Sequence, residues 1–127
     1  MKEVMSIIRI NRINETKRLL AENGFPVATC RKVYGRGKKA TDYSLIEDII
    51  DNSTPLPKEI METISESHRL IAKRMLIMVV KDEEVDDVVR LIIEANQTKS
   101  MGDGKIFVLP VEKAIRVRTG ETGEAAV

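Results

Sequence analysis

Met75-Leu76-Ile77-Met78-Val79-Val80 is apolar on both phases of a two-residue repeat, the pattern of a central strand covered on both faces. Lys81 and Asp82 end the run, and Asp82 reads as the cap of a helix. In that helix Val85, Val88, Val89, Ile92 and Ile93 recur at the three-and-four spacing of one buried face, while Asp86, Asp87, Arg90 and Glu94 lie outside. A polar loop from Thr98 to Lys105 leads to a further strand at Ile106 to Leu109, then to a short extended piece at Ile115 to Arg118. The second half of the chain is thus strand, helix, strand.

The first half repeats the plan. Val4, Ile7, Ile8 and Ile10 mark a half-buried strand between Lys2 and Ile10. Asn14 offers an N-cap followed by Glu15, Leu19 and Leu20 share a face, and Gly24 supplies a left-handed stop, which predicts a helix from about Asn14 to Asn23. Val27 to Tyr34 is the second strand and ends at Gly35-Arg36-Gly37. Strand, helix, strand, a long excursion, then strand, helix, strand is the order of an α+β, ferredoxin-like βαββαβ domain, an antiparallel four-stranded sheet with two helices on one face. The other face needs a cover, and closed association into a ring is the economical one.

The 127 residues are 43% hydrophobic and 32% charged, which sets the expectation of one soluble domain spanning 1–127. Phe25, Tyr34, Tyr43 and Phe107 are the only aromatics, so the stacking platforms of single-strand nucleic-acid binders are missing. Cys30 is the only cysteine and His68 the only histidine, which excludes a disulfide framework and a zinc cluster and predicts a reducing, cytoplasmic setting. No apolar run reaches the roughly 20 residues that span a bilayer.

The excursion, at about residues 38–68, is the expected effector loop. Between Ala40 and Ser67 seven acids (Asp42, Glu47, Asp48, Asp51, Glu59, Glu62, Glu66) face Lys58 alone, a net charge of −6 in a chain whose total is +1. Leu45, Ile46, Ile49 and Ile50 have helical spacing, as do Ile60, Met61 and Ile64 beyond Pro55-Leu56-Pro57. These stripes suit either a partner or the protein's own body. Just before them Arg31, Lys32, Arg36, Lys38 and Lys39 put five cations into nine residues, which suits phosphates, carboxylates or simply solvent.

Gly102-Asp103-Gly104-Lys105 allows close approach of backbone amides to an anion and adds a point charge, although an ordinary turn favours the same letters. Arg116 and Arg118, two apart on the extended piece, would point to one side and could clamp a phosphate.

Taken together, Thr98-x-x-x-Gly102-Asp103-Gly104-Lys105-Ile106-Phe107-Val108, Ile115-Arg116-Val117-Arg118-Thr119-Gly120-Glu121, Glu124-Ala125-Ala126-Val127, Ile7-Ile8-Arg9 and Gly35-Arg36-Gly37-Lys38 resemble the PII signal-transduction proteins. The Gly-Arg-Gly-Lys version and the enlarged loop resemble the longer of the two nitrogenase-associated PII-like regulators. The resemblance implies a regulator, with no catalytic residues, that assembles as a homotrimer or as a mixed oligomer with a PII-like paralogue. It implies ATP or ADP in a cleft flanked by Thr29, Gly37 and Lys38 on one side and Gly102, Asp103, Gly104 and Lys105 on the other, with Arg116 and Arg118 on the phosphates. It further implies 2-oxoglutarate as effector beside magnesium, with Lys73 on its carboxylate, and a nitrogenase component as the partner of the long loop. Lys39 stands where the family usually has a magnesium-holding glutamine, which makes Lys39 a second carboxylate partner and leaves no protein metal ligand; Lys99 replaces a glycine after Thr98. General PII control of glutamine synthetase or an ammonium transporter is the nearest alternative, and a ferredoxin-like nucleotide-dependent enzyme or RNA-binding module the alternative of another class.

Overall fold

The computed structural model describes residues 1–37 and 70–127. Lys38, Lys39, the apolar stripe of Leu45, Ile46, Ile49 and Ile50, and the stretch around Ile60 to Ile64 lie outside the described residues. The described elements follow the expected order: β1 (Lys2–Arg9), α1 (Ile13–Glu22), β2 (Thr29–Gly35), β3 (Ile71–Val80), α2 (Val85–Asn96) and β4 (Lys105–Pro110). They form one antiparallel sheet of order β2-β3-β1-β4, the ferredoxin-like arrangement.

Alternation along β1 decides what is buried. Val4, Ser6 and Ile8 are buried on the helix side, and the register sets Val4 against Met78 and Ser6 against Leu76 across β3. Val4, Ile8, Leu76, Met78 and Val80 from the sheet meet Ile13 and Leu20 of α1 and Val88, Leu91 and Ile92 of α2 in one aliphatic core. Each such side chain contributes about 1.5–3 kcal/mol by leaving water. Residues on the opposite phase, Met5, Ile7, Met75 and Ile77, are only half-buried, and Val79, Phe107 and Leu109 are exposed. Within one chain β3 is therefore covered on its helix side alone, not on both.

The helix ends differ from the expected caps. α1 begins one residue before Asn14, after a 3-10 turn at Ile10–Arg12, and no side chain caps it. Thr16 donates its hydroxyl to the Arg12 carbonyl at 2.7 Å inside that first turn. At the other end the expectation holds: Gly24 has φ +92°, and Phe25 N–H reaches Leu20 O at 2.9 Å in a left-handed stop. Asp82 caps nothing, because its carboxylate takes the Met1 ammonium at 2.8 Å. The α2 entry is instead a 3-10 turn in which the Lys81 N–H donates to the Glu84 carboxylate at 2.9 Å.

The two helices are tied by a buried polar contact. Asn96 donates from Nδ2 to Thr16 Oγ1 at 2.9 Å and to Ile92 O at 2.8 Å. Because this bond lies where α2 hands over to the loop that begins at Gln97, it fixes the point at which the loop leaves the helix layer. Thr16→Val should lower stability by about 1 kcal/mol, and Thr16→Val combined with Asn96→Leu should recover part of that loss, since removing both polar partners costs less than orphaning one. Denaturant unfolding at a fixed protein concentration measures both; equal and additive losses would contradict the coupling.

Candidate functional site

Arg9, the last residue of β1, is paired in register with Lys73 of β3, so two cations stand side by side on the open face at one end of the sheet. The loop between α2 and β4 closes over them. Arg9 Nη1 meets Asp103 Oδ1 at 2.5 Å, its Nη2 donates to Met101 O at 3.1 Å and to Ser100 Oγ at 3.4 Å, and Lys73 Nζ donates to Gly102 O at 2.7 Å. Asp103 also accepts from the Thr98 N–H at 2.7 Å and, in a short bond, from the Thr98 hydroxyl. The Thr98 hydroxyl, the Thr98 N–H and the Arg9 guanidinium together hold the Asp103 carboxyl well below the usual carboxylate range.

Two glycines make this path possible. Gly102 has φ +98° and Gly104 has φ +119°, both in the left-handed region. A Cβ on Gly104 would lie 2.0 Å from the Ile7 carbonyl oxygen, so the loop can approach β1 this closely only as glycine. Lys99, at φ 63°, is the one described non-glycine residue with positive φ. A lysine held in the left-handed region costs about 1–2 kcal/mol.

Of the residues expected at the site, Lys73, Gly102, Asp103, Gly104 and Lys105 come together at this end of the sheet. Gly35 pairs with Ile71 and Val33 with Lys73, so the strand that leads to Gly37 ends on the same side. Thr29 does not join them. It opens β2 opposite Ile77, six residues from Gly35, about 20 Å along the strand. The C-terminal segment packs there as well, since Ala114, Ala126 and Val127 line an open hollow with Val27, Thr29 and Val79.

The arginine pair sits on that segment, with a geometry unlike the expected extended piece. Only Ile115 is bridged, to Thr122; Arg116 N–H donates to Glu121 O at 2.8 Å and Gly120 N–H to Arg116 O at 2.7 Å, which closes a turn. Alternation of sides does not apply across a turn. The Arg116 guanidinium is engaged by Glu121 and by Ala125 O at 2.9 Å, whereas Arg118 is exposed and has no hydrogen bond or ion pair among the described residues. Within one chain the expected site residues therefore fall into two places, one at Lys73 and Gly102 to Lys105 and one at Thr29 and the C-terminal segment that carries Arg116 and Arg118. Among the described residues no group of three His, Cys, Asp or Glu could hold a metal ion, and no helix is long and apolar enough to cross a membrane.

Sequence reasoning assigned no role to Arg9 or Thr98, although both stand in the quoted motifs. The missing signal is spatial: Arg9 and Asp103 are 94 residues apart in the chain.

Comparison with known proteins bears on the family and the fold. The family model for nitrogen regulatory protein P-II matches residues 1–121. The chain is 46% identical to the nitrogen fixation nifHD region GlnB-like protein 2 of Methanothermococcus thermolithotrophicus, covering 100% of this chain and 98% of that one. It is 40% identical to the nitrogen regulatory protein GlnK2 of Haloferax mediterranei, covering 99% and 90%. Among solved structures, Arabidopsis thaliana PII bound to citrate superposes with a TM-score of 0.73 at 33% identity, over 99% of this chain and 91% of that one. With the fold, the glycine–lysine loop and full-length identity in agreement, the chain belongs to the nitrogen regulatory protein P-II family.

Proposed function

We propose that this chain senses ATP or ADP together with 2-oxoglutarate and, through its long loop, regulates nitrogenase. Proteins of this family are regulators of nitrogen metabolism and not enzymes. The observation that carries the nucleotide reading is the loop from Thr98 to Gly104, locked against Arg9 and Lys73 with two positive-φ glycines and followed directly by Lys105, the exposed first residue of β4. Such a loop offers N–H groups and a cation to a phosphate chain. Lys73 would supply a carboxylate partner for the dicarboxylate and Lys39, outside the described residues, a second; with an ammonium at position 39 in place of an oxygen ligand, the effector would bind through these cations and not through a protein-held magnesium. The nitrogenase reading draws on the relatives named for the nifHD region.

The separation of the two regions, about 20 Å along β2, is best accounted for by association. In a closed trimer the open sheet face, with Ile77, Val79, Phe107 and Leu109, would be covered, and Thr29, Arg116 and Arg118 of one subunit would complete the cleft begun by Gly37, Lys38 and Gly102 to Lys105 of the next. A mixed trimer with a paralogue would satisfy the same geometry.

Light scattering should give the mass of a trimer, and Lys105→Ala or Arg118→Ala should each weaken ATP binding about tenfold to hundredfold in calorimetry without dispersing it. Co-refolding the two variants should restore tight binding in about a quarter of the clefts, because some then pair an intact half from each chain. A monomer, or no recovery on mixing, would count against a shared cleft.

For the effector loop, deletion of Thr41 to Ser65 should leave the trimer and ATP binding intact and abolish inhibition of nitrogenase in a reconstituted assay. Inhibition that survives the deletion would assign the effector role elsewhere.

A further inference from the structure

We propose that Asp103 and Arg9 are positioning residues: with Lys73 they draw Met101 O and Gly102 O toward the sheet and so leave the N–H groups of Gly102 and Gly104 for the ligand. This role rests on the nucleotide reading above and adds the residues that fix the loop in its binding form. An anion-binding loop has two conflicting properties, because every peptide unit that offers an N–H also carries a carbonyl oxygen that repels phosphate. Here two of the loop's carbonyl oxygens are drawn aside. The Arg9 fork takes Met101 O and Asp103 Oδ1, and Lys73 takes Gly102 O. Among the described residues no acceptor meets the N–H of Gly102 or Gly104.

Asp103 makes the same point through its charge. A carboxylate in a loop that is to receive a triphosphate is unfavourable by simple Coulomb reasoning. Its two oxygens are, however, wholly engaged by Arg9 and by the N–H and hydroxyl of Thr98. The contact to Thr98 closes the loop's first residue onto its sixth and encloses Lys99, whose φ of 63° a free lysine rarely adopts. Asp103 is therefore a brace within the loop, with both carboxylate oxygens turned to the chain itself.

The two views of Asp103 predict opposite signs. If the carboxylate were merely a nearby negative charge, Asp103→Asn would strengthen ATP binding; as a brace, its loss should weaken binding about tenfold despite the more favourable charge. Thr98→Val, which changes no charge, should weaken ATP binding to a similar extent, and Thr98→Ser, which keeps the hydroxyl, should bind like the wild type. Calorimetry with ATP on the intact assembly reads the affinities, and amide hydrogen exchange of residues 98–105 without nucleotide should quicken in Asp103→Asn and Thr98→Val but not in Thr98→Ser. Unchanged or tighter ATP binding by Asp103→Asn, or equal weakening in the serine and valine variants, would overturn the positioning role. Should Asp103→Asn not fold, the valine–serine pair decides alone. A wild-type chain that binds no ATP would overturn the nucleotide reading itself, an outcome distinct from equal binding across the variants.

Discussion

The register of β1 between β3 and β4 is the constraint on which the rest of the molecule depends. β1 is hydrogen-bonded on both sides, with Val4 opposite both Met78 and Val108, and Ser6 opposite both Leu76 and Ile106. A shift of one residue would turn Val4 and Ile8 out of the helix layer and expose the core to water. It would also turn Arg9 to the other face and detach it from Asp103. The same two-residue period thus fixes the core at one end of the strand and the site at the other, and the close fit of Gly104 against the Ile7 carbonyl leaves little freedom for slippage.

That register creates an electrostatic problem which the loop resolves. Like charges directly opposite in an antiparallel pair destabilise it, and Arg9 faces Lys73. Asp103, Met101 O and Gly102 O supply the compensating negative ends. The attraction works in both directions: the cations need the loop's oxygens, and the loop needs the cations to hold its strained path. A contact of this kind at a partly exposed sheet end is weakly stabilising. Its consequence is conformational, because it selects one arrangement of the 98–104 backbone.

How far the sequence could be read follows from which interactions are local. The strands and both helices were legible because periodicity records burial directly, as Val85, Val88, Val89 and Ile92 show for α2 and the six apolar residues from Met75 for β3. Caps were less legible, since a capping residue can be claimed by a distant partner, as Asp82 is by the Met1 ammonium. Asn14 failed for another reason: the 3-10 turn at Ile10–Arg12 starts the helical path earlier than any cap signal. The expected extension at Ile115 to Arg118 gave way to a turn because Gly120, at φ +73°, lets the chain fold back onto Arg116. In the candidate site, Gly102 to Lys105 could be read as letters, but the Arg9 contact could not, because nothing in a linear pattern brings together residues 94 apart.

The least local feature is what a single chain leaves unfinished. β3 is apolar on both phases, yet Val79 remains exposed on the open face, as do Phe107 and Leu109 across β1 from it. A sheet edge can be polar at little cost, but the centre of a sheet facing water loses about 25 cal/mol for each Å² of apolar surface left uncovered. Covering that face and, in the proposed cleft, uniting Thr29 with Gly102 to Lys105 are separate requirements, one of the core and one of the nucleotide reading. The proposed closed association would answer both, and would give a use to apolar residues on a face that the chain's own helices never reach.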